Sequence, residues 1–400
     1  MNSLKFYVFV GLFALGIATG QAATYDFATL DPPNSSGTYP LSMNNSGQVV
    51  GKFYDSTKPE FPGTFPLFKN GDAYIPLNVP NATRGSDALS INNRGQVYGR
   101  YFDNQQVHGY MYSGGVYTSF DPPDSAFVLT AGINDNGQIA GGFQDANNGQ
   151  HGFLYSGGNY TILDIPGADK TLATGINNTN TVVGYYYISN IAHGFIYSGG
   201  VFTTIDPPNS THTEAYGINN KEQVVGMYAI GKIPHGFIYS GGVYTTIDAP
   251  GGFTLATGIN DNGQVVGNYF TDPEYTISHG FLASPTLATS LSLNGSSLAI
   301  SLIASSYLGN NADWWLVAMT PWGHWYSYVY PNQWKDLGTD LNKATPAYQG
   351  PLIDLSNLVL FNTTGIPSGN YVIYFGVDTN MNGVLDYDLV HYSRFSMNAP

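Results

Sequence analysis

The 400-residue chain carries 13 Lys and Arg against 27 Asp and Glu, a formal net charge of −14, and has no Cys. Without cysteine there is neither a disulfide framework nor a thiolate metal site. The acidic balance excludes nucleic acid and anionic membrane as partners, since both demand a basic surface, and leaves neutral sugars, metal cations or another protein.

Residues 1–22 read as a secretory signal peptide. Lys5 supplies the positive start, residues 6–18 the short apolar stretch, and Gly20-Gln21-Ala22 the small residues of a cleavage site. The run is shorter than the ~20 apolar residues a spanning helix needs, and no later segment is apolar for long enough to span a bilayer. The remaining ~375 residues are ample to bury a core by packing alone.

From residue 43 one phrase recurs six times: an aliphatic residue, two polar residues, a turn, and a run close to Gln-Val-Val-Gly. It opens at Met43, Ile91, Ile133, Ile176, Ile218 and Ile259, in steps of 48, 42, 43, 42 and 41 residues. A period of this size is the mark of a repeat architecture. In the copy over residues 160–200, Tyr160-Thr161-Ile162-Leu163-Asp164 stops at Pro166-Gly167, then Thr171 to Asn177 leads into a turn. Val182-Val183-Gly184-Tyr185-Tyr186-Tyr187 and His193-Gly194-Phe195-Ile196-Tyr197 follow, and Ser198-Gly199-Gly200 closes the unit. Each segment is short, β-rich and bounded by Gly, Pro, Asn or Asp, with no helical periodicity. Four short antiparallel strands per ~42 residues predict a propeller blade. The sixth copy ends near His279-Gly280-Phe281-Leu282 with no outer strand after it, while residues 25–31 begin the chain as an unpaired one. If the latter completes the former, six blades close and no sheet edge stays open.

His-Gly-Phe-Ile-Tyr-Ser-Gly-Gly, Tyr-Thr-Thr-Ile-Asp-Pro-Pro and Gly-Ile-Asn-Asn-x-Gly-Gln-Val-Val-Gly together resemble the bacterial extracellular HAF-repeat family, over about residues 25–283. The resemblance implies a secreted or cell-surface bacterial protein and a β-propeller, and brings no family-wide activity or cofactor. The first copy departs most, with Gly63-Thr64-Phe65 in place of His-Gly-Phe. The fourth lacks the Gly-Gln of the turn.

The repeated polar residues have two readings. His108, His151, His193, His235 and His279 form either a ring of imidazoles on a metal or a strand tie within each blade, through the first Asn of the turn phrase. Asp31, Asp121, Asp164, Asp206 and Asp248 form either a calcium ring or proline-turn caps that bond their own backbone. Five copies at one position favour scaffold in both cases. The four Glu residues (Glu60, Glu214, Glu222 and Glu274) fall at no equivalent positions, so no acid–base pair for glycoside hydrolysis is singled out.

From about residue 285 the repeat stops, and all five Trp lie beyond this point. Segments such as Tyr371-Val372-Ile373-Tyr374-Phe375-Gly376-Val377 predict a β-sandwich over 285–400, resembling the C-terminal modules of many bacterial secreted proteins. Two features here could carry function. Residues 321–330 are densely aromatic. As one strand they would put Trp322, His324, Tyr326, Tyr328 and Tyr330 on one face and Trp325 on the other, either an exposed strip for stacking on sugar rings or a hairpin covering the core. Asp378, Asn380, Asn382, the carbonyl of Val384 and Asp386, with Gly383 at the bend, match the first part of a calcium loop. Position 12 is Leu389 rather than Glu, and a hairpin turn with Asx bonding is the other reading.

The expectation is therefore an all-β chain: a signal peptide over 1–22, a six-bladed β-propeller over 23–284, and a β-sandwich over 285–400. It is read as a secreted, non-enzymatic binding protein for extracellular carbohydrate or a protein partner, with Trp322, Trp325, Tyr326 and Tyr328 as contact residues and Ca²⁺ as a weak cofactor. The alternatives are a polysaccharide-processing enzyme at the propeller's axial mouth and a structural surface component. The loops that break the pattern, 55–62, 145–150 and 272–278, are where an active centre would lie.

Overall fold

Runs of β-branched and aromatic residues cut by Gly, Asn and Asp favour tight antiparallel hairpins. A computed structural model describes residues 25–399 except 59–62, 104–105, 122–124, 251, 273, 275, 287, 295–296, 304–310, 330–332, 352–354, 363–367 and 379–389. The expected signal peptide, part of the 55–62 loop, Tyr330 and calcium-loop positions Asn380, Asn382, Val384 and Asp386 lie outside the described residues.

The chain divides into two units, one of them Tyr25–Ser284. This unit holds six four-stranded antiparallel sheets. The fourth sheet is representative, with strands Lys170–Ile176, Val182–Ile188, Ile191–Ser198 and Val201–Ile205 in sequence order. Ser189 and Asn190 (φ 50° and 66°) and then Gly199 and Gly200 (φ 59° and 88°) turn its last two hairpins through the left-handed region, as two-residue loops matching the strand twist require. The first strands of the six sheets are Ser35–Met43, Ser86–Ile91, Ser125–Ile133, Lys170–Ile176, His212–Ile218 and Phe253–Ile259.

In the sixth sheet the fourth strand is Tyr25–Thr29, lying beside Ser278–Pro285. The start of the repeat region thus completes its last sheet, as the unpaired sequence at residues 25–31 suggested. Leu30 N–H donates to the Gly280 carbonyl at 2.9 Å and extends the pairing.

A glycine recurs in the second strand because the sheet leaves no space for a side chain there. A register shift in the first strand, between Ala173 and Gly175 in the fourth sheet, bulges a carbonyl over it. A Cβ on Gly184, Gly226 or Gly267 would lie 2.1, 2.1 or 2.0 Å from the carbonyl oxygen of Leu172, Glu214 or Leu255. Across the next pairing, Phe195, Phe237 and Phe281 sit opposite these glycines and are fully buried. The ring covers the bare backbone, offsetting the weakness a glycine brings to a strand.

The core is a series of clusters at the junctions between consecutive sheets. Val50, Phe68 and Leu77 of the first sheet meet Ala88, Ile91 and Val97 of the second. Val225, Ile238 and Ile247 of the fifth meet Ala256, Ile259 and Phe281 of the sixth, and Val266 of the sixth meets Met43, Val49 and Leu67 of the first. Similar clusters fill the second–third, third–fourth and fourth–fifth junctions. The succession of junctions returns to its start.

The unit from Pro285 onward carries two antiparallel sheets. One has strands Ala288–Asn294, Ser297–Ile303 and Leu355–Asn362. The other runs Gln333–Gly338, Trp325–Val329, Asn311–Met319, Gly369–Asp378 and Val390–Ala399, with Tyr348–Pro351 also on Asn311–Met319. Ala288–Asn294 lies against Gly369–Asp378 and Val390–Ala399. Trp315, Leu316, Val317, Ile373, Phe375 and Val377 are buried in this unit.

Candidate binding cleft

The repeated histidines and aspartates prove to be one device. In each of five sheets His Nδ1 pairs with an aspartate Oδ2: His108 with Asp121 (3.2 Å), His151 with Asp164 (2.8 Å), His193 with Asp206 (2.7 Å), His235 with Asp248 (2.8 Å) and His279 with Asp31 (2.7 Å). The other oxygen of each aspartate accepts the N–H of the glycine after the histidine, at 2.6–3.3 Å. Each imidazole also lies on an aromatic ring of the neighbouring strand, as His108 does on Tyr101 at 5.1 Å. The tie within each sheet was expected, but through the first Asn of the turn phrase; its partner is the aspartate instead. No group of three or more His, Asp or Glu residues suited to hold a metal occurs among the described residues.

The asparagines tie the sheets to each other. The Nδ2 groups of Asn44, Asn92, Asn134, Asn177, Asn219 and Asn260 donate in turn to the carbonyls of Asn92, Asn134, Asn177, Asn219, Asn260 and Asn44, at 2.9–3.2 Å. A second circuit runs beside it. The backbone N–H groups of Asn45, Asn93, Asp135, Asn178, Asn220 and Asp261 each donate to the side-chain Oδ1 of the next member. Asp135 Oδ2 accepts amides from both flanking members, Asn93 (3.0 Å) and Asn178 (2.7 Å), and Asp261 Oδ2 likewise from Asn45 and Asn220. Burial would raise the Asp135 carboxyl, but the amide donors of Asn178 and Asn93 outweigh it and hold the group below its usual value.

Where the first copy departs from the pattern, a cleft opens. Gly63 takes the histidine position, and a Cβ there would lie 1.9 Å from the Arg84 carbonyl oxygen. The chain entering the second sheet crosses at this point, with Ser86 N–H on the Thr64 carbonyl (3.0 Å) and Arg84 N–H on the Phe102 carbonyl (2.9 Å). The histidine is thus excluded, and a cleft of about 300 Å³ is lined by Lys52, Tyr54, Gly63 and Thr64 of the first sheet's strands and loop, by Arg84, Asp87 and Arg100 of the second, and by Phe127 of the third.

Its floor carries charge where the other copies are mostly uncharged. Asp87 and Arg100 face each other in register; the corresponding pairs are Leu172 with Tyr185 and Leu255 with Asn268. Asp87 is 1% exposed. Its Oδ2 accepts Arg100 Nε at 2.9 Å and lies 4.0 Å from Lys52 Nζ, and its Oδ1 accepts the Thr64 hydroxyl. Arg100 Nη1 in turn donates to the carbonyls of Leu129 (2.9 Å) and Val128 (3.3 Å). On the rim Tyr54 and Phe127 are 42% and 39% exposed. Sequence reasoning noted the broken copy but not these residues. The available signal was the pair of opposite charges, Asp87 and Arg100, where the fourth and sixth sheets carry Leu172 with Tyr185 and Leu255 with Asn268.

Glu214 stands at the Asp87 position of the fifth sheet. It accepts Tyr187 Oη (2.9 Å), His212 Nε2 (3.0 Å) and the Tyr216 hydroxyl. Burial pushes its carboxyl up, but His212, Tyr216 and Tyr187 outweigh this and hold it below the usual range. A second cleft, of about 340 Å³, lies between the fifth and sixth sheets, among Ile233, Pro234, His235, Phe253 and Phe270. The irregular loops use their acids internally. Asp145 accepts the N–H groups of Asn147 and Gly149, and Asp272 those of Thr276 and Ile277.

In the Trp-rich segment the strand begins only at Trp325. Trp322 and His324 belong to the hairpin turn before it, closed by Thr320 N–H on the His324 carbonyl (2.9 Å), so they do not continue the strand that carries Tyr326 and Tyr328. Trp322 is 63% exposed. Trp325, Tyr326 and Tyr328 are half-buried: Trp325 lies 5.7 Å from the Tyr374 ring, Tyr326 donates to Asp336 (3.2 Å), and Tyr328 meets Trp334 edge-on at 5.5 Å. Asp378 is fully buried at the end of its strand, in register with Asp313, which is also fully buried.

No protein-family model matches the sequence, and no curated protein matches it. Among solved structures, the fold aligns with virginiamycin B lyase from Staphylococcus aureus at 15% identity, over 69% of this chain and 96% of that one, with a TM-score of 0.36. The six-bladed β-propeller lectin from Aleuria aurantia aligns at 13% identity over 77% and 98%, TM-score 0.40. A gluconolactonase from Xanthomonas campestris aligns at 10% identity over 67% and 99%, TM-score 0.41. Likeness of this degree assigns no chemistry to this chain.

Proposed function

We propose that this chain is an exported bacterial HAF-repeat protein, a six-bladed β-propeller followed by a β-sandwich, that binds extracellular carbohydrate without acting on it. The observation that carries the reading is the cleft at the broken copy. There exposed Tyr54 and Phe127 flank a polar floor of Lys52, Asp87 and Arg100, the mix of ring faces and fixed polar groups that suits a sugar.

Binding fits better than catalysis because the irregular carboxylates are already engaged. Glycoside hydrolysis needs two carboxyl groups facing the substrate, one of them protonated. Asp87 lies beneath Arg100 and Thr64, and Glu214 is enclosed by two tyrosines and a histidine. A protein partner is the second reading, favoured by four half-exposed isoleucines, Ile188, Ile191, Ile230 and Ile233, which flank the corresponding hairpin turns of two consecutive sheets.

A glycan array on the mature protein tests the proposal. Tyr54→Ala and Phe127→Ala should each weaken the bound glycan about tenfold, near 1.4 kcal/mol. Trp322→Ala and Trp325→Ala report on the second candidate surface. An array with no signal would leave the structural-component reading. The calcium loop stays within the proposal, Asp378 and the neighbouring Asp313 supplying hard oxygen donors at its start; Ca²⁺ should then raise the melting temperature, and EDTA reverse it.

A further inference from the structure

We infer that the cleft between the first and second sheets selects an anionic saccharide, a sugar ring bearing a carboxylate. This rests on the carbohydrate-binding reading and names its ligand class. Three of the chain's 13 basic residues, Lys52, Arg84 and Arg100, meet at this one cleft in a molecule with 27 acidic residues. Against them stand Asp87 and Asp103, so the cleft carries one net positive charge where the whole chain carries −14.

The three cations are not equivalent. Arg100 is committed to Asp87 and to two backbone carbonyls. Lys52 stands 4.0 Å from an Asp87 oxygen that Arg100 already holds at 2.9 Å. The exposed Arg84 guanidinium has no ion-pair or hydrogen-bond partner among the described residues. A planar fork on the rim and a point charge on the wall suit a carboxylate. Tyr54 and Phe127 offer faces for the ring that carries the acid.

The test is calorimetric titration of the full mature chain with galacturonate, glucuronate and mannuronate tetramers, each beside its methyl ester, and with a sulfated galactan tetramer. At least one acid tetramer should bind about tenfold tighter than its ester, and raising the salt from 0.05 to 0.3 M should narrow the gap. Lys52→Gln and Arg84→Gln, both at solvent-accessible side chains, should each remove most of that difference, and Arg84→Gln should leave the melting temperature unchanged. Equal binding of acid and ester, or variants that change nothing, overturns the inference. Neutral sugars bound in a Tyr54-dependent way would in that case leave the carbohydrate reading standing. Tighter binding of the sulfated tetramer than of every uronate overturns the choice of carboxylate. If no saccharide binds at all, both readings fall.

Discussion

Asp87 shows how a single residue separates stability from function here. A buried ion pair is weak evidence for stability, because desolvating two charges offsets most of their attraction, yet breaking one leaves a buried charge alone. Arg100→Asn should therefore cost about 3–5 kcal/mol. Asp87→Leu with Arg100→Asn recreates the pair Leu255 and Asn268 of the sixth sheet and should return stability to within about 1 kcal/mol of the parent. Urea midpoints of the three proteins decide it; a double variant as unstable as Arg100→Asn would mean that the pair holds the fold rather than the site. Glu214 is a different case. A carboxyl held below its ordinary 4.5 gives stability that is complete above that pH and is lost as pH falls toward the lowered folded value. Melting temperatures from pH 6 to 3 should drop more steeply for the parent than for Glu214→Gln, and parallel curves would refute the assignment. The histidine–aspartate tie was half legible: both residues recur, and in four sheets they stand 13 apart. That constant interval was the overlooked sign of pairing, because it spans one strand, a hairpin and the next strand. In the sixth sheet the partner is 248 residues away, which no local spacing reveals.

At the scale of the element, hairpins were legible because Gly and Asn at left-handed positions determine the turn, and strand order then follows the sequence. Residues 321–330 left both a strand and a hairpin open, because their aromatic alternation is strong. Gly323 at φ 76° marks the turn that interrupts it. The closing strand Tyr25–Thr29 invites a direct test, since without it Ser278–Pro285 becomes an open edge with unpaired N–H and C=O groups. A chain starting at Leu30 keeps Asp31 and its bond to His279 but loses the strand. At about 3 kcal/mol, and roughly 3 °C per kcal/mol for a domain of this size, the melting temperature should fall by about 10 °C. Scanning calorimetry measures it, and a synthetic peptide of residues 25–29 extended to the tie should restore part of the loss. An unchanged melting temperature would show that the sixth sheet does not depend on the strand.

Across the whole molecule, the repeat unit is what sequence displays and closure is what it hides. An open array of repeats is stabilised by intrinsic terms and nearest-neighbour interfaces, so a defect in one unit uncouples the units beyond it. Here the six junction clusters return to their start, and the asparagine circuit passes through every sheet and closes from Asn260 to Asn44. Asn177 is one link: Nδ2 donates to the Asn219 carbonyl at 3.2 Å, while Oδ1 accepts the N–H groups of Thr179 (3.1 Å) and Thr181 (2.9 Å). The Thr179 hydroxyl also donates to Oδ1 (2.8 Å), so Asn177→Ala removes four bonds at a buried site and strands the backbone groups they satisfied, a loss of about 2–4 kcal/mol. In a closed ring that loss is shared, because no sheet can open without breaking two junctions. The Tyr25–Ser284 unit should then still melt in one transition, lowered by about 6–12 °C, and amides of the first and fourth sheets should exchange with the same reduced protection. Separate transitions, or loosened exchange confined to the third, fourth and fifth sheets, would show that the circuit is a set of local turns rather than a lock on the ring.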